Sequence, residues 1–224
     1  ELAKHGCHPV YLTKNQVELF YEGYSNDTLW PLFHYFQSLT RQKEEYWQAY
    51  VEVNKLFSAA VHKVAGETSS VWVHDYQLMI LPKLLREAMP SVSIGFFLHI
   101  PFPSFEIYRL LPQRNELLEG LLGADLIGFH IFDYARHFLS SCLRLLGVSN
   151  QQGVLEYQGR TIKTDAYPIG IDYQKFRDTL NESDTKKAIS SLEQSYNGMK
   201  IILSVDRLDY SKGIPDRLNA YSRL

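Results

Sequence analysis

The sequence predicts an α/β protein: a parallel sheet with helices on both faces over residues 1–170, then the opening of a second α/β domain over 171–224. Three observations carry this. Short apolar runs alternate with helical stretches between residues 44 and 146, the order that builds parallel strands joined by crossover helices. The alternation breaks at Tyr167-Pro168-Ile169-Gly170, and residues 173–198 are polar and helical. A new apolar run, KIILSV at 200–205, then starts the pattern again, so the domain boundary falls near residue 170.

Each element has its own signal. From Glu44 to Val64, the residues Tyr46, Tyr50, Val53, Phe57, Val61 and Val64 keep a helical stripe with charges between them. Val71–Val73 is a short strand. A helix follows from about Leu78 to Met89, with Pro82 early, where a missing N–H is tolerated. Ser93–Leu98 is a buried strand; the turn PFPS and helical sequence to Leu122 come next. Asp125–Phe129 is a third strand, and a helix from Asp133 to Leu146 is stopped by Gly147. Val154–Tyr157 and Thr161–Thr164 flank Gln158-Gly159-Arg160 as a hairpin. Ile214, Leu218 and Tyr221 mark a last amphipathic helix with no Gly or Pro stop signal; with no initiator Met either, the chain reads as a fragment of a longer protein.

Composition removes several functions. Lys plus Arg is 23 against 25 for Asp plus Glu, a net charge of −2, which gives no basic face for nucleic acid. No run of about 18 apolar residues offers a membrane span, and the first residues lack a signal-peptide core, so a cytoplasmic protein is expected. Cys7 and Cys142 form no CxxC pair, which excludes a zinc ribbon; reduced thiols are expected, with one long-range disulfide left open. His5, Cys7 and His8 read as a frayed terminus, because no further ligand is spaced to complete a metal site. The 15 tyrosines hint at a hydroxyl-rich ligand, although most tyrosines simply pack.

In open parallel sheets, ligands bind beyond the carboxyl ends of the strands. Unusual polar groups stand there: His74-Asp75 after the first strand, His99 after the second, His130 after the third, Asp206-Arg207 after KIILSV. Each has a structural reading, Asp75 as a helix cap and His99 as a partner for a backbone carbonyl; together on one edge they point to a site. Arg207 and Lys212 bracket a loop leading into Gly213 and a helix start, a combination suited to a diphosphate. The equal alternative pairs Arg207 with Asp206 or Asp209 and leaves Lys212 in water. Tyr21 and Trp30 bound the run YEGYSNDTLW, read as a loop whose aromatics could stack on a sugar, or with Trp30 plugging the core. No GxSxG, Walker A, HExxH or GxGxxG occurs, and no second carboxylate partners Asp75 as a glycosidase would need.

The segments YEGYSNDTLWP, VWVHDYQLMILP, IGFFLHIPFPSFEI, DLIGFHIFDYARHFL, YPIGID and SVDRLDYSKGIP follow one another as in a known family. Over nearly its whole length the chain resembles the trehalose-6-phosphate synthases, retaining glycosyltransferases that make trehalose 6-phosphate and UDP from UDP-glucose and glucose 6-phosphate. Gln77 departs from the pattern, where HDYHL is common. The resemblance implies a GT-B fold of two Rossmann-like domains, no cofactor and no metal. It implies Tyr21 and Trp30 lining the glucose 6-phosphate site, Asp75 on sugar hydroxyls at the reaction centre, His99 on the donor glucose, and Arg207 and Lys212 on the UDP diphosphate. His130 receives no role. The family's glycine-rich loop would lie upstream of Glu1, and a further Arg and an acidic motif beyond Leu224, so the piece alone is expected to be inactive. A fused phosphatase domain or a homo-oligomer is compatible with the resemblance. So are two other functions: a catalytically silent regulatory relative, and a pseudo-glycosyltransferase with another acceptor.

Overall fold

The computed structural model describes residues 2–66 and 68–224. Six strands form one sheet in the order β1-β2-β3-β6-β5-β4: β1 Ser70–His74, β2 Ser93–Phe97, β3 Leu126–Phe129, β4 Asn150–Gln151, β5 Val154–Tyr157 and β6 Arg160–Ala166. β1, β2, β3 and β6 run parallel, with Val73, Phe96, Ile127 and Thr164 in register. β6, β5 and β4 close the sheet as antiparallel hairpins. The turn between β5 and β6 takes two residues, Gln158 at φ 49° and Gly159 at φ 72°, while Arg160 already belongs to the strand. Positive φ at both turn positions matches the right-handed twist of the flanking strands. The two-residue strand β4 is too short to leave a pattern in the sequence.

The parallel α/β class expected from the sequence is present, but the helices lie on one face. Val73, Ile94, Phe96, Ile127, Phe129 and Ile162 point to a common buried side. Helix α1 (Glu44–Val64) packs on α2 (Leu81–Ala88), α2 on α3 (Arg114–Leu121), and α4 (Phe132–Leu146) on β3 and β6, with the Phe138 ring 5.5 Å from that of Phe129 and tilted at 41° to it. On the other face Trp72 is 68% exposed, and Ser93, Leu126, Lys163 and Asp165 are exposed with it. The reason is topological. β1, β2, β3 and β6 succeed one another in one direction across the sheet, and right-handed crossovers then place every connecting helix on the same side. Helices on both faces need a reversal of direction, and the described strands contain none.

A second correction concerns Tyr21–Trp30. Gly, Ser, Asn and Asp in that run favour a loop; instead it lies in a π-helix, Val17–Leu29, that runs on into Trp30–Phe33. The Trp30 N–H reaches the Ser25 carbonyl, and the Ser25 hydroxyl donates to the Phe20 carbonyl at 2.9 Å. Tertiary packing overrides local propensity here. Phe20 and Tyr24 are buried against Tyr50 of α1, with ring centroids 5.7 and 4.6 Å apart. Gly23 faces the Tyr46 ring so closely that an added Cβ would lie 2.7 Å from it. The glycine that looked like a turn residue is what lets the two helices touch.

The chain divides into two compact units, one ending at Pro168 and the other spanning Ile169–Leu224. The second holds α5 (Tyr173–Thr179), α6 (Ser183–Ser195) and α7 (Ile214–Tyr221). Lys200–Val205, expected as a strand, is not one: no described segment pairs with it, and Ile201, Leu203 and Val205 stand exposed. A strand exists only with a ladder partner. Cys7 and Cys142 are both free thiols, which closes the disulfide alternative; burial pushes the Cys142 thiol upward. No described helix is long and apolar enough to cross a membrane.

Candidate active site

The carboxyl ends of the parallel strands converge on a cluster of side chains. His74 is the last residue of β1 and lies in register with Phe97 of β2. His99 follows β2 by two residues, and its Nε2 stands 2.9 Å from His74 Nδ1. His130, directly after β3, brings its ring to 5.7 Å from that of His99 and meets Phe97 edge-on at 5.0 Å. The His130 Nδ1 atom is buried without a hydrogen-bond partner.

Asp75 sits at the centre in an unusual backbone state, φ 73° and ψ 172°. That region is open to glycine and costs other residues about 1–3 kcal/mol. The strained turn aims the carboxylate back over the strand ends, where Oδ1 accepts the backbone N–H of Tyr76 at 3.0 Å and of His99 at 3.2 Å. Burial raises its pKa; the two N–H donors and the neighbouring His99 and His74 work against that rise. The loss of solvent around His99 lowers its pKa, Asp75 opposes this, and His74 and His130 reinforce it. The edge therefore offers a carboxylate acceptor beside an imidazole, a set suited to hydrogen-bonding sugar hydroxyls.

The turn after Asp75 is clamped from below by α1. The buried Tyr50 hydroxyl donates to the Tyr76 carbonyl at 2.7 Å and accepts the Met79 N–H at 2.9 Å. Asn54 Nδ2 donates to the Gln77 carbonyl at 3.1 Å and to the Tyr50 carbonyl at 2.9 Å. Sequence reasoning placed Tyr50 in the core stripe and passed over Asn54. A buried Asn one helical turn beyond a buried Tyr was the available signal, because buried polar groups must find partners.

Trp30 is half-buried, its ring 4.2 Å from His34 and 5.6 Å from Tyr76, whose hydroxyl donates to Asn26 Oδ1 at 3.0 Å. The structure thus links Trp30 to the Asp75 turn through Tyr76, with Asn26 as a polar neighbour. Tyr21 lies earlier in the same π-helix and is exposed.

Arg207 and Lys212 belong to the second unit. Asp206 pairs there with Arg217 at 2.7 Å, and neither Arg207 nor Lys212 has an ion-pair partner among the described residues. The alternative in which Arg207 pairs with Asp206 or Asp209 is not realised. Burial would raise the Asp209 carboxyl, but the hydrogen bond from the Ser211 N–H at 2.8 Å, with Lys212 and Arg207 nearby, brings it below the ordinary value. Gly213, at φ 61°, turns the chain into α7, whose first N–H groups follow Lys212 directly. No group of three His, Cys, Asp or Glu among the described residues could hold a metal ion.

Comparison with known proteins places this arrangement. The profile of glycosyltransferase family 20 matches residues 2–224. The UDP-forming alpha,alpha-trehalose-phosphate synthase 1 of Aspergillus fumigatus is 50% identical over 221 residues, 97% of this chain and 43% of its own length. A Burkholderia xenovorans UDP-forming alpha,alpha-trehalose-phosphate synthase in complex with glucose-6-phosphate superposes with a TM-score of 0.89 at 33% identity, over 95% of this chain and 48% of that one. A trehalose-6-phosphate protein from E. coli bound with UDP-2-fluoro glucose superposes with a TM-score of 0.87 at 35% identity, covering 94% and 46%. The chain spans less than half the length of each.

Proposed function

The chain belongs to glycosyltransferase family 20, and on that premise we propose that it is part of an enzyme transferring glucose from UDP-glucose to glucose 6-phosphate. The products are trehalose 6-phosphate, with retained anomeric configuration, and UDP. The observation that carries the reading is the Asp75–His99 arrangement: a carboxylate and an imidazole at the carboxyl edge of a parallel sheet, held by a strained turn. Relatives that resemble this chain over nearly all of its length are named for that product and for UDP formation.

In this reading the enzyme has the two-domain GT-B arrangement, with residues 1–170 on the acceptor side and 171–224 opening the nucleotide-sugar domain. Asp75 accepts hydrogen bonds from hydroxyls of glucose 6-phosphate. His99 meets the donor glucose, and Trp30 and Tyr21 line the acceptor pocket. Arg207 and Lys212 receive the diphosphate of UDP. The bond from the donor anomeric carbon to the β-phosphate oxygen breaks as negative charge builds on that oxygen, which is where two fixed cations lower the barrier. The acceptor's anomeric hydroxyl attacks from the same face. Its proton passes to the departing phosphate oxygen, so no protein base and no metal is called for. The remaining residues orient the two sugars. A cytoplasmic location fits nucleotide-sugar and sugar-phosphate substrates.

The test is UDP release by the full-length protein from UDP-glucose, with and without glucose 6-phosphate, and identification of the disaccharide phosphate. Release that does not depend on glucose 6-phosphate, or a different acceptor preferred in a screen, defeats the reading. Arg207→Ala and Lys212→Ala are each expected to lower turnover by about tenfold or more, the scale of one lost charge-assisted contact to a developing anion. Near-normal rates in both would remove the diphosphate assignment.

A further inference from the structure

We propose that His74 is a positioning residue for His99, fixing the ring orientation and tautomer in which His99 meets its ligand. The proposal rests on the reading that His99 contacts the donor sugar. His74 Nδ1 and His99 Nε2 stand 2.9 Å apart, with ring centroids separated by 5.2 Å and planes inclined at 32°. Between two neutral imidazoles such a contact requires one N–H and one bare nitrogen. If His74 Nδ1–H donates, the proton of His99 sits on Nδ1. If His99 Nε2–H donates, its Nδ1 is bare. In both states Nε2 is engaged, so Nδ1 is the nitrogen that His99 has left to offer, and its role as donor or acceptor is decided by His74.

His74 is itself held. It ends β1, whose backbone is paired with β2, and its ring packs on Trp72 at 4.7 Å. His99 is packed on its other side by Phe97 at 4.7 Å. The titratable groups facing His99 are Asp75 and His74 from the β1 end and His130 from the β3 end. Asp75 is committed through Oδ1 to the His99 backbone N–H, so the imidazole–imidazole contact is what orients the ring.

Two variants of the full-length protein separate positioning from packing. His74→Asn places an amide near the position of Nδ1 and keeps the hydrogen bond; His74→Phe keeps a ring over Trp72 and removes it. The expected result is a kcat roughly tenfold or more below wild type for His74→Phe, with the KM for glucose 6-phosphate little changed, and recovery to within about threefold in His74→Asn. In parallel, 15N NMR of histidine-labelled protein should show His99 in one tautomer in the wild type and in His74→Asn, and in a mixture in His74→Phe. Equal kcat in all three proteins, equal loss in both variants, or ring nitrogen shifts of His99 that ignore the substitution would each overturn the proposal. The NMR arm is independent of turnover: a wild type that makes no disaccharide defeats the proposed function, and the ring shifts still decide the role of His74.

Discussion

Any replacement of Asp75 is expected to lower glucosyl transfer by about a hundredfold or more while leaving the protein folded. The size follows from the role proposed for the carboxylate: it is oriented before substrate arrives, and loss of one preorganised polar group at a reaction centre costs about that much. The more discriminating expectation concerns stability. Asp75→Gly and Asp75→Ala both delete the carboxylate and its bonds to the N–H groups of Tyr76 and His99. They differ in the backbone, because φ 73° with ψ 172° is open to glycine and closed to alanine. The glycine variant is therefore expected to be the more stable of the two by about 1–3 kcal/mol, read from denaturant unfolding. Equal stabilities would mean that the turn relaxes freely and stores no strain. Transfer within threefold of wild type in either variant would take Asp75 out of the reaction centre.

The pH dependence of Asp75 runs opposite to that of a surface carboxylate. Burial raises its folded pKa above the ordinary aspartate value, so between those two values the native state binds more protons than the unfolded chain. In that window stability falls as pH rises, and at neutral pH the buried charge is a net cost to the fold. Asp75→Asn keeps an oxygen for the two N–H donors without the charge. It is expected to unfold at a higher denaturant concentration than wild type at neutral pH, with the advantage shrinking on acidification through the raised value. On the role proposed for Asp75, transfer is expected to require the ionised form and to decline over the same acid range. Strain and desolvation point the same way: the residue opposes the stability of the fold it belongs to, as expected where the ground state is organised for chemistry.

The strands β1, β2, β3, β5 and β6, the helix Glu44–Val64 and the sheet edge that carries the candidate site were legible in the sequence because they follow from short-range rules. An apolar run of four or five residues followed by a polar one marks a strand end, and the ends of parallel strands share an edge; Asp75 and His99 follow from that alone. What could not be read depended on direction and on distant packing. The sidedness of the helices is set by the order in which strands join the sheet, a property no local window contains. The π-helix Val17–Leu29 is held by aromatic contacts with α1, some 25 residues later, against the turn preference of Gly23, Ser25, Asn26 and Asp27. His74 was visible as a strand-end residue, but its contact with His99 requires the β1–β2 register. KIILSV has the composition of a strand and finds no pairing partner among the described residues, which composition cannot reveal.

Arg86→Met is expected to cost about 3–5 kcal/mol of stability and to leave the chemistry of each folded molecule unchanged. The Arg86 side chain is only 15% exposed, and all of its donor nitrogens are used. Nε donates to the Gly123 carbonyl at 3.2 Å, Nη1 to Pro90 and Val92 at 2.7 and 2.8 Å, and Nη2 to both oxygens of Asp125 at 2.7 Å. Asp125 also accepts the Ile94 N–H at 2.8 Å, while Arg160 donates to the carbonyls of Leu122, Gly123 and Ala124 and to Asp125. One carboxylate and two guanidiniums thereby fasten the amino-terminal ends of β2, β3 and β6 to the ends of α2 and α3, at the edge of the sheet opposite the site. Methionine fills the volume but leaves the Pro90 and Val92 carbonyls without their Arg86 donor and Asp125 with only Arg160 and the Ile94 N–H; lysine restores the charge without the planar fork, so Arg86→Lys should recover only a small part. At roughly 2–4 °C per kcal/mol, the melting midpoint should drop by about 6–20 °C. A drop below about 2 °C would mean that the Arg86–Asp125–Arg160 group is an incidental surface cluster. A large drop accompanied by a lower kcat per folded molecule would mean that the two edges of the sheet are mechanically coupled, contrary to the separation of anchoring and chemistry argued for this fold.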